Sequence, residues 1–179
     1  KPQRKKYFEV DIPLLEEKKE VYSYTPEEQE GKSIKVDMTR KLKGKSLDLV
    51  FRITIDKDKK LSAIPKKLTI LPYFIKHVLR KSISYIEDSI KTETKESNVI
   101  IKPFFITRKK VSRAVRRTIR NSSRNWIIDY LKTKKDIELF EEILSGSMQK
   151  ELSLKLKKIY PLALCEVRIL DIKKPLKKE

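Results

Sequence analysis

Lys102, Arg108, Lys109, Lys110, Arg113, Arg116, Arg117, Arg120 and Arg124 place nine cationic side chains between Glu96 and Asp129, a stretch without one acidic residue. Most of them are arginine, whose planar guanidinium donates paired hydrogen bonds to phosphate oxygens and whose charge is permanent. A second acid-free stretch, between Asp58 and Glu87, carries Lys59, Lys60, Lys66, Lys67, Lys76, Arg80 and Lys81. These two windows hold nearly all of the net charge of +19, and the remainder of the chain is close to neutral. A surface made basic for solubility alone would intermix signs, whereas patterned charge marks a docking surface for a polyanion. Nucleic acid is the polyanion that fits. A membrane surface fits less well, because no segment approaches the roughly 20 apolar residues of a spanning helix and no secretory leader is legible at the start of the chain.

The basic side chains need an element to align them, and the spacing predicts a helix from about Val111 to Leu131. At 100° per residue Val111, Val115, Ile119, Trp126 and Tyr130 share one arc, and Lys109, Arg113, Arg116, Arg117, Arg120 and Arg124 are expected on the opposite one. Successive turns would then meet successive phosphates. Trp126 reads as core rather than as a base-stacking platform, because it lies in the apolar arc.

Around that helix the pattern is mostly strand. Phe8, Val10 and Ile12 alternate with acids up to Pro13, and the charged stretch Glu16 to Glu30 reads as a solvated connector. Strands are expected at Ile34 to Met38, Leu47 to Ile55, Leu61 to Leu71 with Pro65 at a bulge or sheet edge, Ser84 to Lys95, Asn98 to Thr107 and Ala163 to Ile172. Asp56 to Lys60 reads as a turn, and Lys95 to Asn98 suits a hairpin connection. Pro72 opens a helix expected to run to about Lys81. Asp136 is expected to cap a short acidic helix that Gly146 ends, and Ser147 starts another whose Lys155, Lys157 and Lys158 serve either the helix dipole or RNA. The expected fold is α+β: a mostly antiparallel, six- or seven-stranded, β-barrel-like sheet with three to four α-helices. Its expected organisation is a basic N-terminal extension and connector over 1–30, a single α+β RNA-binding domain over 31–172, and a basic tail over 173–179.

Catalytic constellations are missing from the sequence. Gly31, Gly44 and Gly146 are isolated, which excludes a phosphate-cradling loop and a dinucleotide fingerprint. Ser147-Met148-Gln149-Lys150 has the Ser-x-x-Lys spacing without its companion motifs. Cys165 and His77, each the one residue of its type, cannot furnish a zinc quartet or an internal disulfide. The acidic residues Glu138, Glu141 and Glu142 read as a solvated helix face, and Cys165 as a small buried hydrophobe in a cytoplasmic protein. The expectation is a protein that is not an enzyme and uses no cofactor or metal.

Several motifs in order carry a family resemblance: Lys5-Lys6-Tyr7-Phe8, Thr25-Pro26 with Gly31-Lys32, and Leu68-Thr69 leading through Tyr73 to Leu79-Arg80-Lys81, Ser84 and Ile86-Glu87. Lys102-Pro103-Phe104, Thr107-Arg108-Lys109-Lys110, Ile119-Arg120, Lys158-Ile159-Tyr160-Pro161-Leu162 and Glu166-Val167-Arg168 continue it. Over most of its length the chain resembles the archaeal and eukaryotic small-subunit ribosomal proteins of the eukaryotic-type S-one, or S-three-a, family. It departs from their pattern in having Pro72 before the tyrosine, Glu87 in place of an aspartate, and no long C-terminal extension. The resemblance implies a β-barrel-like domain on the platform of the small subunit, near the messenger exit region and the 3′ end of the small-subunit rRNA. The implied partners are that rRNA, neighbouring small-subunit proteins and messenger RNA near the exit. Lys102, Arg108, Lys109, Lys110, Arg113, Arg117, Arg120 and Arg124 would then bridge rRNA phosphates, with Arg116, Arg80 and Lys81 beside them. The alternative is a free nucleic-acid-binding protein, an RNA chaperone or a DNA-coating protein.

Overall fold

Alternating apolar and polar residues form strands wherever one face can be covered. The computed structural model, which describes residues 4–42, 45–56 and 60–175, contains nine strands and four α-helices among them. In chain order these are β1 (Lys6–Ile12), β2 (Glu17–Ser23), β3 (Ser33–Asp37), β4 (Leu47–Ile55), β5 (Leu61–Ile70), α1 (Pro72–Val78), β6 (Tyr85–Glu87), β7 (Ile90–Glu93), β8 (Ser97–Thr107), α2 (Arg113–Lys132), α3 (Asp136–Ser145), α4 (Ser147–Leu156) and β9 (Leu162–Pro175). They share one sheet, ordered β2-β1-β5-β9-β8-β6, with β4 and then β3 also joined to β5, and β7 joined to β8. All pairings are antiparallel except the short contact of β1 with β5 at Val10–Leu61 and Asp11–Ser62. The α+β class and the antiparallel sheet agree with the sequence, but there are nine strands instead of six or seven, and the sheet is open rather than a closed barrel.

Prolines shape the sheet where they deny it a hydrogen-bond donor. Opposite Phe51 the register slips at Pro65, so the expected bulge is present in β5. The long pair β8 and β9 slips three times, once at Pro103, where Arg168 becomes the extra residue of β9. Each slip adds local twist and bend to the strand pair.

Four local readings are corrected. The supposed connector contains β2, which pairs with β1 from Lys6↔Ser23 to Ile12↔Glu17. Its Glu17, Lys18, Lys19 and Glu20 show no apolar period because β2 is an edge strand, where charge discourages pairing with other chains. The strand expected over Ser84 to Lys95 is split into β6 and β7 at Asp88, whose carboxylate turns away to accept from the Ser89 amide and the Arg124 guanidinium. Helix α1 stops at Val78, with Leu79 already extended at ψ 129°, so Arg80 and Lys81 lie on a loop. Asp136 is the first residue of α3 and not its cap, which is Lys135. Its carboxylate accepts from Thr94 Oγ1 at 2.6 Å and from Ser97, tying the β7–β8 hairpin to α3. In the expected turn Asp56 to Lys60, residues 57–59 lie outside the described residues, as do Gly44, residues 1–3 of the basic N-terminus and residues 176–179 of the basic tail.

One cluster of buried side chains joins the strands of the sheet to α2, α3 and α4. Phe51, Phe104, Phe105, Phe140, Ile119, Ile127, Leu131 and Leu170 are among its fully covered side chains. Gly146, at φ 77°, makes the left-handed turn between α3 and α4 that a side chain would strain. Cys165 is partly buried on β9; burial first, with Glu166 beside it, pushes its thiol well above the ordinary range, and Lys45 opposes that only in part. The native chain is therefore expected to resist iodoacetamide at about pH 8, where a free thiol is substantially ionised, and to alkylate fully in denaturant. Fast alkylation of the folded chain, followed by mass spectrometry, would contradict this placement.

Candidate nucleic-acid interface

Ser112 precedes helix α2, and its hydroxyl accepts from the Val115 amide at 3.4 Å and so caps the first turn. Its fully buried residues are Ile119, Ser123, Ile127 and Leu131, four apart, with Val115, Trp126 and Tyr130 half-buried on one flank. Trp126 stacks on Tyr130 with ring centres 4.6 Å apart and packs against the core, as its apolar arc implied. The packed stripe is nevertheless rotated from the expected one, toward Arg116. The arc facing away from the core is Ala114, Thr118, Asn121 and Asn125, all exposed, and the arginines rise along the other flank. On this face α2 packs across β6 and β7 and against α4.

Flanking the core changes what the arginines can do. Arg113, Arg116, Arg117 and Arg120 line a shallow groove with Tyr85 of β6 and with Asn121. Their aliphatic stems can lie on apolar surface while the guanidinium heads reach water. Arg113, Arg117 and Arg120 are exposed; Arg116 is half-buried, and its Nε–H has no hydrogen-bond partner among the described residues. No acid occupies the first turn of α2, so Arg113 and Arg116 stand at the positive end of the helix dipole. That crowding costs stability until an anion arrives. Tyr85 closes the groove on the sheet side, with its hydroxyl donating to Glu87 Oε2 at 2.8 Å while Arg168 donates to Glu87 Oε1 at 2.7 Å. Burial, reinforced by Glu87, pushes the Tyr85 phenol up to about 12, so it remains a neutral donor beside the arginines.

Two basic loops meet at the N-terminal end of α2. Ser84 donates its amide to Thr107 Oγ1 at 3.0 Å, its carbonyl accepts from the Thr107 amide at 3.1 Å, and its hydroxyl accepts from the Val111 amide at 3.1 Å. Thr107 Oγ1 also donates to the Lys109 carbonyl at 2.7 Å. The segment bearing Arg80 and Lys81 is thereby pinned to the one bearing Arg108, Lys109 and Lys110, with all five side chains exposed. The two acid-free windows, remote in sequence, converge there.

Arg124 and Lys102 stand apart from the groove. Arg124 donates through Nε and Nη2 to Asp88 at 2.9 and 2.6 Å, and that hydrogen bonding raises its pKa. Lys102 is half-buried on β8, opposite Ile169 of β9. Of the second window, Lys60 and Lys66 are exposed at β5 and Lys76 on α1, and Lys59 lies outside the described residues. Replacing Asp88 by Asn keeps an oxygen for the Ser89 amide while releasing Arg124 and removing a negative charge. Nucleic-acid affinity at about 100 mM salt is then expected to rise a few-fold, with about one more phosphate contact in the salt slope. Weaker binding by D88N, measured by fluorescence anisotropy, would show that the ion pair itself forms the binding surface.

Tyr85, Asn121, Asp88 and Ser84 were not found by sequence reasoning. Asp88 left one signal, a polar pair interrupting an apolar alternation at Asp88-Ser89. Tyr85 left none and Ser84 only its place in the family motif, because their roles come from elements distant in the chain.

Comparison with known proteins finds that the model of the Ribosomal S3Ae family matches residues 1–175. No curated protein matches the chain.

Proposed function

The chain belongs to the Ribosomal S3Ae family, and we propose that, as a small-subunit ribosomal protein, it holds folded rRNA through the α2 groove and the two pinned basic loops. The observation that carries this reading is the convergence at Ser84, which brings the Arg80–Lys81 segment of one acid-free window against the Arg108–Lys110 segment of the other. Arg113, Arg116, Arg117 and Arg120 supply the groove, Arg108, Lys109, Lys110, Arg80 and Lys81 the rim, and Lys102 and Arg124 the outer contacts. Folded RNA is recognised mainly through shape, phosphates and 2′-hydroxyls, which suits a groove rich in arginine and poor in base-reading amides. Phosphates entering it would meet the donors of Arg116 and the dipole of α2, relieving the charge crowding described above.

The protein acts in this reading as scaffold and assembly component, seated on the platform near the messenger exit region, beside other small-subunit proteins and within reach of messenger RNA. Affinity comes from counterion release, and neutralising roughly 6 to 10 phosphates makes it fall by about 10³ to 10⁵ between 50 and 200 mM salt. No helix among the described residues is long and apolar enough to cross a membrane. The test is sedimentation of cell extract through a moderate-salt gradient. One copy of the chain per small subunit is expected. A chain spread over many RNAs and removed by the same wash would favour a free RNA chaperone or DNA-coating protein.

A further inference from the structure

A second surface, on the β1–β2 hairpin, has a different composition. Tyr7 and Tyr22 oppose each other in register on its outer face, ring centres 4.8 Å apart and planes inclined by 41°, and they are 71% and 56% exposed. Tyr24 follows at 43% exposed. The Lys5 ammonium lies between the last two rings, 5.7 Å from the centre of Tyr22 and 5.2 Å from that of Tyr24, and Arg4 and Lys6 beside it are exposed. A cross-strand tyrosine pair does stabilise a hairpin, but pairing accounts only for the ring faces in contact. It leaves unexplained the ring surface open to water and the third tyrosine sharing a cation.

We propose that this face is a stacking site for unpaired RNA nucleotides, separate from the α2 groove. Flat aromatic rings interleaved with cations are what single-strand binding requires: a base stacks on an exposed ring, and the ammonium between two rings meets the phosphate joining two stacked nucleotides. The site has a built-in limit, because the next outward pair along the hairpin is Glu9↔Glu20, and an acidic pair repels further phosphates. Lys18 engages Glu9 at 3.1 Å and leaves Glu20 uncompensated by that bridge. The patch therefore holds a short unpaired segment of a few nucleotides, not a long strand or a duplex. The inference rests on the chain working in a ribonucleoprotein and does not require the α2 groove to bind RNA.

The test uses the full chain and two fluorescein-labelled probes, single-stranded hexauridylate and a blunt RNA duplex, followed by anisotropy. The pair Tyr7→Ala and Tyr22→Ala is expected to weaken hexauridylate binding at least about tenfold while leaving the duplex unaffected. Tyr7→Phe with Tyr22→Phe keeps the rings and is expected to bind hexauridylate like the parent chain. Charge reversal of Arg113, Arg117 and Arg120 weakens the duplex and spares the stacking step, so failure of either surface is visible separately. Unchanged hexauridylate affinity in the alanine pair overturns the proposal. So does an alanine pair whose one defect is small subunits lacking a neighbouring protein, since the patch would then be a protein contact.

Discussion

Replacing Arg113, Arg117 and Arg120 together by glutamate is expected to lower the affinity of the chain for small-subunit rRNA at least about a hundredfold at ~100 mM salt. Each phosphate contact contributes roughly 0.7 to 0.9 to the slope of log affinity against log salt, so three lost contacts remove about two decades near that concentration. Reversed charge adds repulsion to the loss. The slope itself falls by about two to three, a signature that a general loss of fold would not give. Folding is expected to stay intact, because all three side chains are exposed on the flank of α2 and none accepts or donates in the packed stripe of Ile119, Ser123, Ile127 and Leu131. Anisotropy titrations at several salt concentrations, with circular dichroism of the same sample, check both halves. Parental affinity with an intact fold would remove the groove from the interface.

Phe105→Ala is expected to do the reverse. Phe105 has no exposed surface and lies mid-strand on β8, between Ile86 of β6 and Cys165 of β9. Truncating a buried phenylalanine costs about 3–5 kcal/mol, the transfer of the ring plus the cavity it leaves. Against a typical total of ~5–15 kcal/mol that is a large share, and for a chain of this size it corresponds to a fall in Tm of about 6–20 °C. At a temperature where the variant remains folded, RNA affinity should be nearly parental, since every arginine of the groove is still present. A thermal melt that shifts by less than a few degrees would mean that β8 is not the centre of the core.

What could be read from the sequence was whatever depends on near neighbours. Period-two alternation located β3, β4, β5, β8 and β9, the apolar arc of Val111, Val115, Ile119, Trp126 and Tyr130 located α2, and Gly146 marked the break between α3 and α4. Strand β2 was illegible because Glu17, Lys18, Lys19 and Glu20 mask any period and only Val21 follows as an apolar residue packed on the core, and its backbone pairs with that of β1. The split at Asp88 and the bulges of β8 against β9 depend on Pro103, Arg168 and Arg124, which meet only in the folded chain. The same limit applied to the site. Charge type and the acid-free windows named the cations, but the azimuth of α2 is set by what it packs against. A rotation toward Arg116 turned an expected outward ridge into a groove shared with Tyr85. It also gave Arg124 to Asp88. The pinning of two basic loops through Ser84 and Thr107 joins residues 23 positions apart by hydrogen bonds that no periodicity encodes.

A density map of the assembled small subunit at side-chain resolution decides whether the α2 groove holds RNA. The map is expected to show rRNA phosphates about 3 Å from the guanidinium groups of Arg113, Arg117 and Arg120, with the segments of Arg80 and Arg108 against the same RNA. A map in which this flank of α2 faces open solvent, or is covered by another protein, would contradict it.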